Sequence, residues 1–260
     1  MTIVDTLPLL PPRPPDSHKG TFGRVLVIAG SRGMSGAAIL CGLGALRGGA
    51  GLVQVASPQE VQPIVAQANP CYLTAALPQD DAGRLSVRAL DNIRELASLA
   101  TVVAIGPGLG QSAALEFLLA RLLNELARPL VLDADALNNL AHLGSSVLRS
   151  TSAVRILTPH PGEFARLLGV STTVVQTQRE ELAARFAREH GVIVVLKGHG
   201  TIVTDGERIY RNSTGNPGMA TGGSGDVLTG LLAQRLEPFT AAQLAIFIHG
   251  RAGDLAREAK

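Results

Sequence analysis

Short runs of β-branched and other apolar residues recur along the chain. Each closes on glycine or a polar cluster, and most are followed by a stretch with helical periodicity. The first run, 24–29 (RVLVIA), lies between Gly23 and Gly30, and its unbroken apolar character predicts a strand buried on both faces. A glycine loop at 30–36 and a helix over 37–46 follow; strand, loop, helix is the opening of a parallel-sheet unit. The same alternation predicts strands at 52–56, 72–77, 101–105, 129–132, 154–157 and 192–196, with helices over 59–67, 88–99, 113–127, 164–168 and 177–189. Runs 201–204 and 208–211 flank Asp205-Gly206, a hairpin signal. Residues 1–16 are too rich in proline for regular helix and are expected to lie extended over the surface. The pattern describes an α/β protein in which helices flank a mostly parallel sheet. Its polar and glycine-rich clusters (106–110, 133–135, 158–163 and 197–200) fall at the C-terminal ends of predicted strands. Ligands of open parallel sheets bind at that edge, so these clusters are expected to converge on one site.

Composition narrows the picture. The 260 residues are 46% hydrophobic but only 3% aromatic, with no Trp, so the core must be built from Ala, Val, Leu and Ile; that length suits one domain with one large core. A formal net charge of +2 with scattered cations gives no surface for nucleic acid or membrane. The chain start lacks the unbroken apolar stretch of a signal peptide, and Arg47 interrupts the longest small-apolar stretch, so a soluble cytoplasmic protein is expected. Cys41 and Cys71 are too few for a disulfide framework or metal cluster and are expected to be buried and inert.

The stretch with most chemistry is 216–235, NPGMATGGSGDVLTGLLAQR. Gly218, Gly222, Gly223 and Gly225 surround Asp226, and Val227, Leu228, Leu231 and Leu232 then begin a helix. Glycine-dense backbone entering a helix exposes unpaired N–H groups at the positive end of the dipole, which attracts anions. Asp226 there is either the helix cap or a base held where a phosphate and a hydroxyl meet. Lys197 ends a very apolar strand, where an ammonium needs an anion, phosphate or carboxylate. His160, between two prolines and three residues before Glu163, caps a helix or faces the site. HPGE has no second His at zinc spacing, whereas Glu163 with Asp133 offers Mg²⁺ the few carboxylates it accepts beside phosphate. The remaining histidines, His18, His142, His190, His199 and His249, carry no usable spacing signal. Gly30 to Gly36 lacks dinucleotide-fingerprint spacing, and a P-loop motif is absent.

The segments SHKGTFGRVLVIAGS, GMSGAAILCGLGALRGGAGLV, IGPGLG, LVLDADALN, ILTPHPGEFARLLG, VVLKGHGT and NPGMATGGSGDVLTGLL, in this order, resemble the ADP- or ATP-dependent NAD(P)H-hydrate dehydratase family of the ribokinase-like superfamily. The resemblance implies a single-domain, three-layer ribokinase-like sandwich over 1–260. It also implies repair of hydrated NADH or NADPH, S form, by nucleotide-driven phosphorylation of the hydroxyl and elimination of phosphate. Ala37, Gly108, His160 and Asp226 match the family's hydrate-binding positions, and Lys197, Gly198, His199, Gly200, Thr201 and Gly225 its nucleotide-binding positions. Asp226 is by analogy the catalytic base, with Gly222, Gly223 and Ser224 as the anion loop. Glu163 resembles the Mg²⁺-linked acid of the superfamily's NxxE motif, with His160 in place of Asn. The resemblance further implies ADP or ATP as co-substrate, a homo-oligomer such as a tetramer, and a stand-alone dehydratase without a fused epimerase domain. A small-molecule kinase of the same superfamily, acting on a hydroxymethylpyrimidine, thiazole alcohol or sugar, would use the same loop and acid. A non-catalytic nucleotide sensor would have no need of Asp226. ADP versus ATP and NADH versus NADPH hydrate stay open.

Overall fold

Side chains alternate across β2 (Arg24–Ile28): Val25 and Val27 enter one apolar cluster, Leu26 and Ile28 the other. The computed structural model, which describes residues 1–10, 12–150, 153–232 and 236–259, therefore has a helical layer on each side of its sheet. On the Val25 side lie α1 (Ser35–Arg47) and α2 (Gln62–Ala68). On the Leu26 side lie α3 (Leu90–Ser98), α4 (Ala113–Glu125), α5 (Asp135–Leu143), α6 (Pro161–Leu168), α7 (Thr172–Thr177) and α8 (Arg179–His190). The last two helices, α9 (Ser224–Leu232) and α10 (Pro238–Glu258), return to the Val25 side and bury Leu228, Phe239 and Ile246 there.

Between the layers runs a ten-stranded sheet, counted among the described residues. Its strands are β1 (Thr2–Ile3), β2, β3 (Leu52–Pro58), β4 (Tyr72–Leu77), β5 (Val102–Ile105), β6 (Leu130–Leu132), β7 (Arg155–Leu157), β8 (Ile193–Leu196), β9 (Ile202–Thr204) and β10 (Arg208–Arg211). Their order is β1-β10-β9-β8-β7-β6-β5-β2-β3-β4, and only β9 runs antiparallel to its neighbours. The order reverses at β2, flanked by β3 on one side and β5 on the other, the kind of switch point beside which open parallel sheets bind ligands at the C-terminal strand edge. Every predicted strand is present.

The differences are informative. The proline-rich lead-in holds no helix among its described residues, as expected, but it begins as a strand: Thr2 and Ile3 pair in parallel with Arg208 and Ile209. Helices α5, α7 and α10 were not anticipated by the pattern. In α10 the first half is buried nearly all round, from Phe239 to Ile246, which hides the one-sided period of an amphipathic helix. Cys41 is buried as expected; Cys71 is exposed, because it lies in the turn before β4 where Asn69 Oδ1 accepts its backbone N–H. Among the described residues no helix is long and apolar enough to cross a membrane.

The contact that fixes α9 is made through backbone. A Cβ on Gly44 of α1 would lie 2.3 Å from the Val227 carbonyl oxygen, and one on Gly230 would lie 2.0 Å from that of Cys41. Only glycine permits this approach, and it sets Asp226 beside α1.

Candidate active site

Three neighbouring strand ends are stepped together by backbone hydrogen bonds: Asp133 N–H donates to Ile105 O (3.1 Å), Thr158 N–H to Leu132 O (3.1 Å) and Lys197 N–H to Pro159 O (2.9 Å). After β6 the chain turns sharply into α5 through Ala134, whose φ of 50° makes it the one non-glycine with positive φ among the described residues. After β7, His160 caps α6: its Nδ1 accepts the N–H groups of Gly162 (3.0 Å) and Glu163 (3.3 Å), while Glu163 Oε2 accepts the His160 N–H (2.7 Å). Because Nδ1 is an acceptor, the neutral ring carries its proton on Nε2. Burial, Lys197 and Arg166 hold this imidazole below the usual histidine range. The ring caps α6 through Nδ1, and its half-exposed Nε2 edge stands 3.5 Å from Glu163 Oε1, so a site-facing role is open to that edge.

Lys197 meets carboxylates. Its Nζ is 2.7 Å from Asp133 Oδ1 and 3.8 Å from Glu163 Oε2. Asp133 Oδ2 accepts the Thr229 hydroxyl at 2.6 Å, which ties β6 to α9. Burial pushes Glu163 up despite the opposing ammonium. The carboxylates, led by Asp133, hold Lys197 above its ordinary value against its desolvation.

Asp226 is the third residue of α9, inside the first turn, so it is not the cap. Half-buried, its carboxylate accepts no hydrogen bond among the described residues. Desolvation, and then the Asp133 charge, push it up to about 6. A carboxylate that is desolvated, unbonded and still ionised near neutrality has the properties of a general base.

The anion loop leads directly into this acid. Gly222 and Gly223 precede the helix, Gly223 has a φ of 90°, and a Cβ on Gly225 would lie 3.5 Å from Lys197 Nζ. Residues 233–235, the end of the stretch singled out in the sequence, lie outside the described residues. At the sheet's switch point Ala37 and Gly108 adjoin, with a Gly108 Cβ 3.0 Å from Ala37 Cβ; Ser31 Oγ donates to Gly108 O at 2.7 Å. Asp135 links this side to α6, accepting the Gly110 N–H (2.8 Å) and the Asn138 amide, whose oxygen in turn accepts from Arg166. Gly198, His199 and Gly200 form an exposed turn closed by Thr201 Oγ1 on Gly198 O (2.9 Å). The sequence clusters therefore meet along one edge, Ala37 and Gly108 on one flank and Lys197 to Thr201 on the other.

Several contributors were not found from sequence. Arg179 clamps the 197–200 turn from α8, donating to Leu196 O, Lys197 O and Gly200 O. Thr229 and the hub role of Asp133 are visible only once β6 and α9 are neighbours. His249 of α10 brings its Nε2 to 3.3 Å from Ser224 Oγ. Only the DAD cluster at a strand end gave a signal for any of these.

The family described as NAD(P)H-hydrate dehydratase matches residues 25–260. The bifunctional NAD(P)H-hydrate repair enzyme Nnr of Moorella thermoacetica is 47% identical over 251 residues, covering 94% of this chain and 47% of that protein. Its counterpart in Coxiella burnetii is 45% identical over 256 residues, covering 96% and 49%. The chain thus spans about half the length of the curated relatives it matches. The crystal structure of ADP/ATP-dependent NAD(P)H-hydrate dehydratase from Bacillus subtilis, co-crystallised with ATP/Mg²⁺, superposes with a TM-score of 0.79 at 32% identity, covering 96% of this chain and 86% of that one.

Proposed function

The chain belongs to the NAD(P)H-hydrate dehydratase family, and we propose that it repairs the S form of hydrated NADH and NADPH, using ADP or ATP. The observation that carries this is Asp226: a half-buried, unbonded carboxylate pushed up to about 6, one residue after Gly225 and beside Lys197. In the proposed cycle Asp226 takes the proton of the hydrate hydroxyl. The freed oxygen attacks the terminal phosphoryl group, and ADP leaves ATP, or AMP leaves ADP. Loss of the phosphate ester with a proton from the neighbouring ring carbon then restores the reduced nicotinamide. The protein's part is positioning and charge, which phosphoryl transfer chiefly requires. Loop 222–225 presents backbone N–H groups to the phosphates, Lys197 places a cation beside them, and Ala37, Gly108 and the Nε2 edge of His160 hold the hydrate.

A divalent ion fits this site as one carried in on phosphate. Among the described residues no group of three His, Cys, Asp or Glu is placed to hold a metal by itself. Asp133, Glu163 and Asp226 face a single ammonium and leave these four side chains at a formal −2 when ionised, a charge that Mg²⁺ offsets. Glu163, through Oε1 or water, is the group that would hold it, and Mg²⁺ would supply neutralisation of the phosphate charge. The reading treats residues 1–260 as one ribokinase-like domain that works as a homo-oligomer, such as a tetramer, in the cytoplasm.

The test is incubation with hydrated NADH or NADPH, Mg²⁺ and either nucleotide, following nicotinamide absorbance and phosphate. Recovered absorbance with stoichiometric phosphate is expected. A stable phosphorylated small molecule would move the assignment to a kinase, and nucleotide binding without turnover to a sensor.

A further inference from the structure

Helix α10 is tied repeatedly to the segment that leads into the anion loop. Asn212 Nδ2 donates to Ile246 O (3.3 Å) and Thr214 Oγ1 to Phe247 O (3.1 Å). Asp254 accepts the Gly215 N–H (2.9 Å) and the Asn216 amide (3.1 Å), and the Met219 sulfur sits against Gly253. His249 lies between these ties and is the α10 residue that reaches the loop itself, with Nε2 3.3 Å from Ser224 Oγ. Ser224 is flanked by Gly223 and Gly225 and is the first residue of α9, so any rotation there re-aims the N–H groups of the helix start.

We propose that His249 is a nucleotide-positioning residue, which fixes the Ser224 hydroxyl and thereby keeps the 222–225 backbone aimed at the nucleotide phosphates. The inference rests on the assignment of that loop to ADP or ATP. Burial, with Lys197 beside it, holds the His249 imidazole below the usual histidine range against an opposing hydrogen bond to the Ser224 backbone, so the neutral ring acts here through its hydrogen bonds. A neutral anchor suits this place, where Lys197 already supplies the cation.

The experiment is equilibrium binding of Mg·ATP and Mg·ADP to the full chain and to the variants His249→Ala and His249→Gln, with steady-state kinetics on hydrated NADH and melting temperatures. Loss of the hydrogen bond predicts nucleotide affinity about five- to tenfold weaker in His249→Ala. The nucleotide KM should rise more than kcat falls, the hydrate KM should hold, and the Gln amide should restore binding. Unchanged nucleotide affinity in His249→Ala overturns the proposal. So does an equal loss for nucleotide and hydrate, accompanied by a lower melting temperature and no rescue by Gln. If the wild-type protein binds nucleotide but turns over no hydrate, the dehydratase assignment fails, while the Ala/Gln binding comparison still decides the role of His249. If it binds no nucleotide, both fail.

Discussion

Lys197 reaches from the end of β8 to the end of β6, where its Nζ stands 2.7 Å from Asp133 Oδ1 in a largely buried pair. The two partners are not equivalent. Removing the ammonium leaves Asp133, Glu163 and Asp226 without their shared cation; removing the Asp133 charge leaves Lys197 with Glu163 at 3.8 Å. Breaking a buried pair costs about 3–5 kcal/mol when a charge is stranded. Lys197→Met is therefore expected to lose stability in that range and to weaken nucleotide binding. Asp133→Asn should lose clearly less. Urea unfolding of the two variants and of the double variant measures the asymmetry and the coupling.

Asp226→Asn keeps the shape of the side chain and removes the charge of the proposed base. Turnover is expected to fall by about 10²–10⁴, the usual contribution of a placed base, with nucleotide affinity retained. Near-wild-type kcat in this variant would remove Asp226 from the chemistry.

The pH profile follows from the same group. A base works ionised, and Asp226 is pushed up to about 6, so kcat/KM is expected to decline as pH falls through about 6, well above the ordinary aspartate range. After desolvation, the Asp133 charge is the largest cause of that rise. Asp133→Asn should accordingly move the acid limb to lower pH, and stopped assays across pH 4.5 to 8 on both proteins show whether it moves.

His160 can be divided into its two edges by substitution. Asn is as good a helix cap as any residue, so His160→Asn should keep the melting temperature, whereas His160→Ala should lose about 1 kcal/mol of stability with the cap. Both lack the Nε2 edge, and both are expected to raise the hydrate KM. A hydrate KM unchanged in His160→Asn would confine His160 to capping.

How much of this was legible beforehand depends on the range of the interaction. The strands were readable because a strand buried on both faces announces itself locally, as VVAI and IVVL do. The site's edge was readable because glycine and polar clusters end those strands. The helices α5, α7 and α10 were not: α7 has six residues, and α10 buries its first half all round. Partnerships across long separations were also out of reach. Thr229 meets Asp133 across 96 positions and His249 meets Ser224 across 25, and neither spacing carries a local signature. Asp226 was readable as a base or a cap, and its place as the third residue of α9 sets the capping reading aside.

The glycine contacts between α1 and α9 bear on how the site meets its substrate. Where Gly44 touches Val227 and Gly230 touches Cys41, no side chain stands between the helices, so no rotamer change can alter their spacing. Asp226 follows Gly225 on this helix, which the Thr229 hydroxyl also ties to Asp133. Repacking of side chains at these two points therefore leaves the seat of the acid where the main chain puts it, a preorganised place for a charged group.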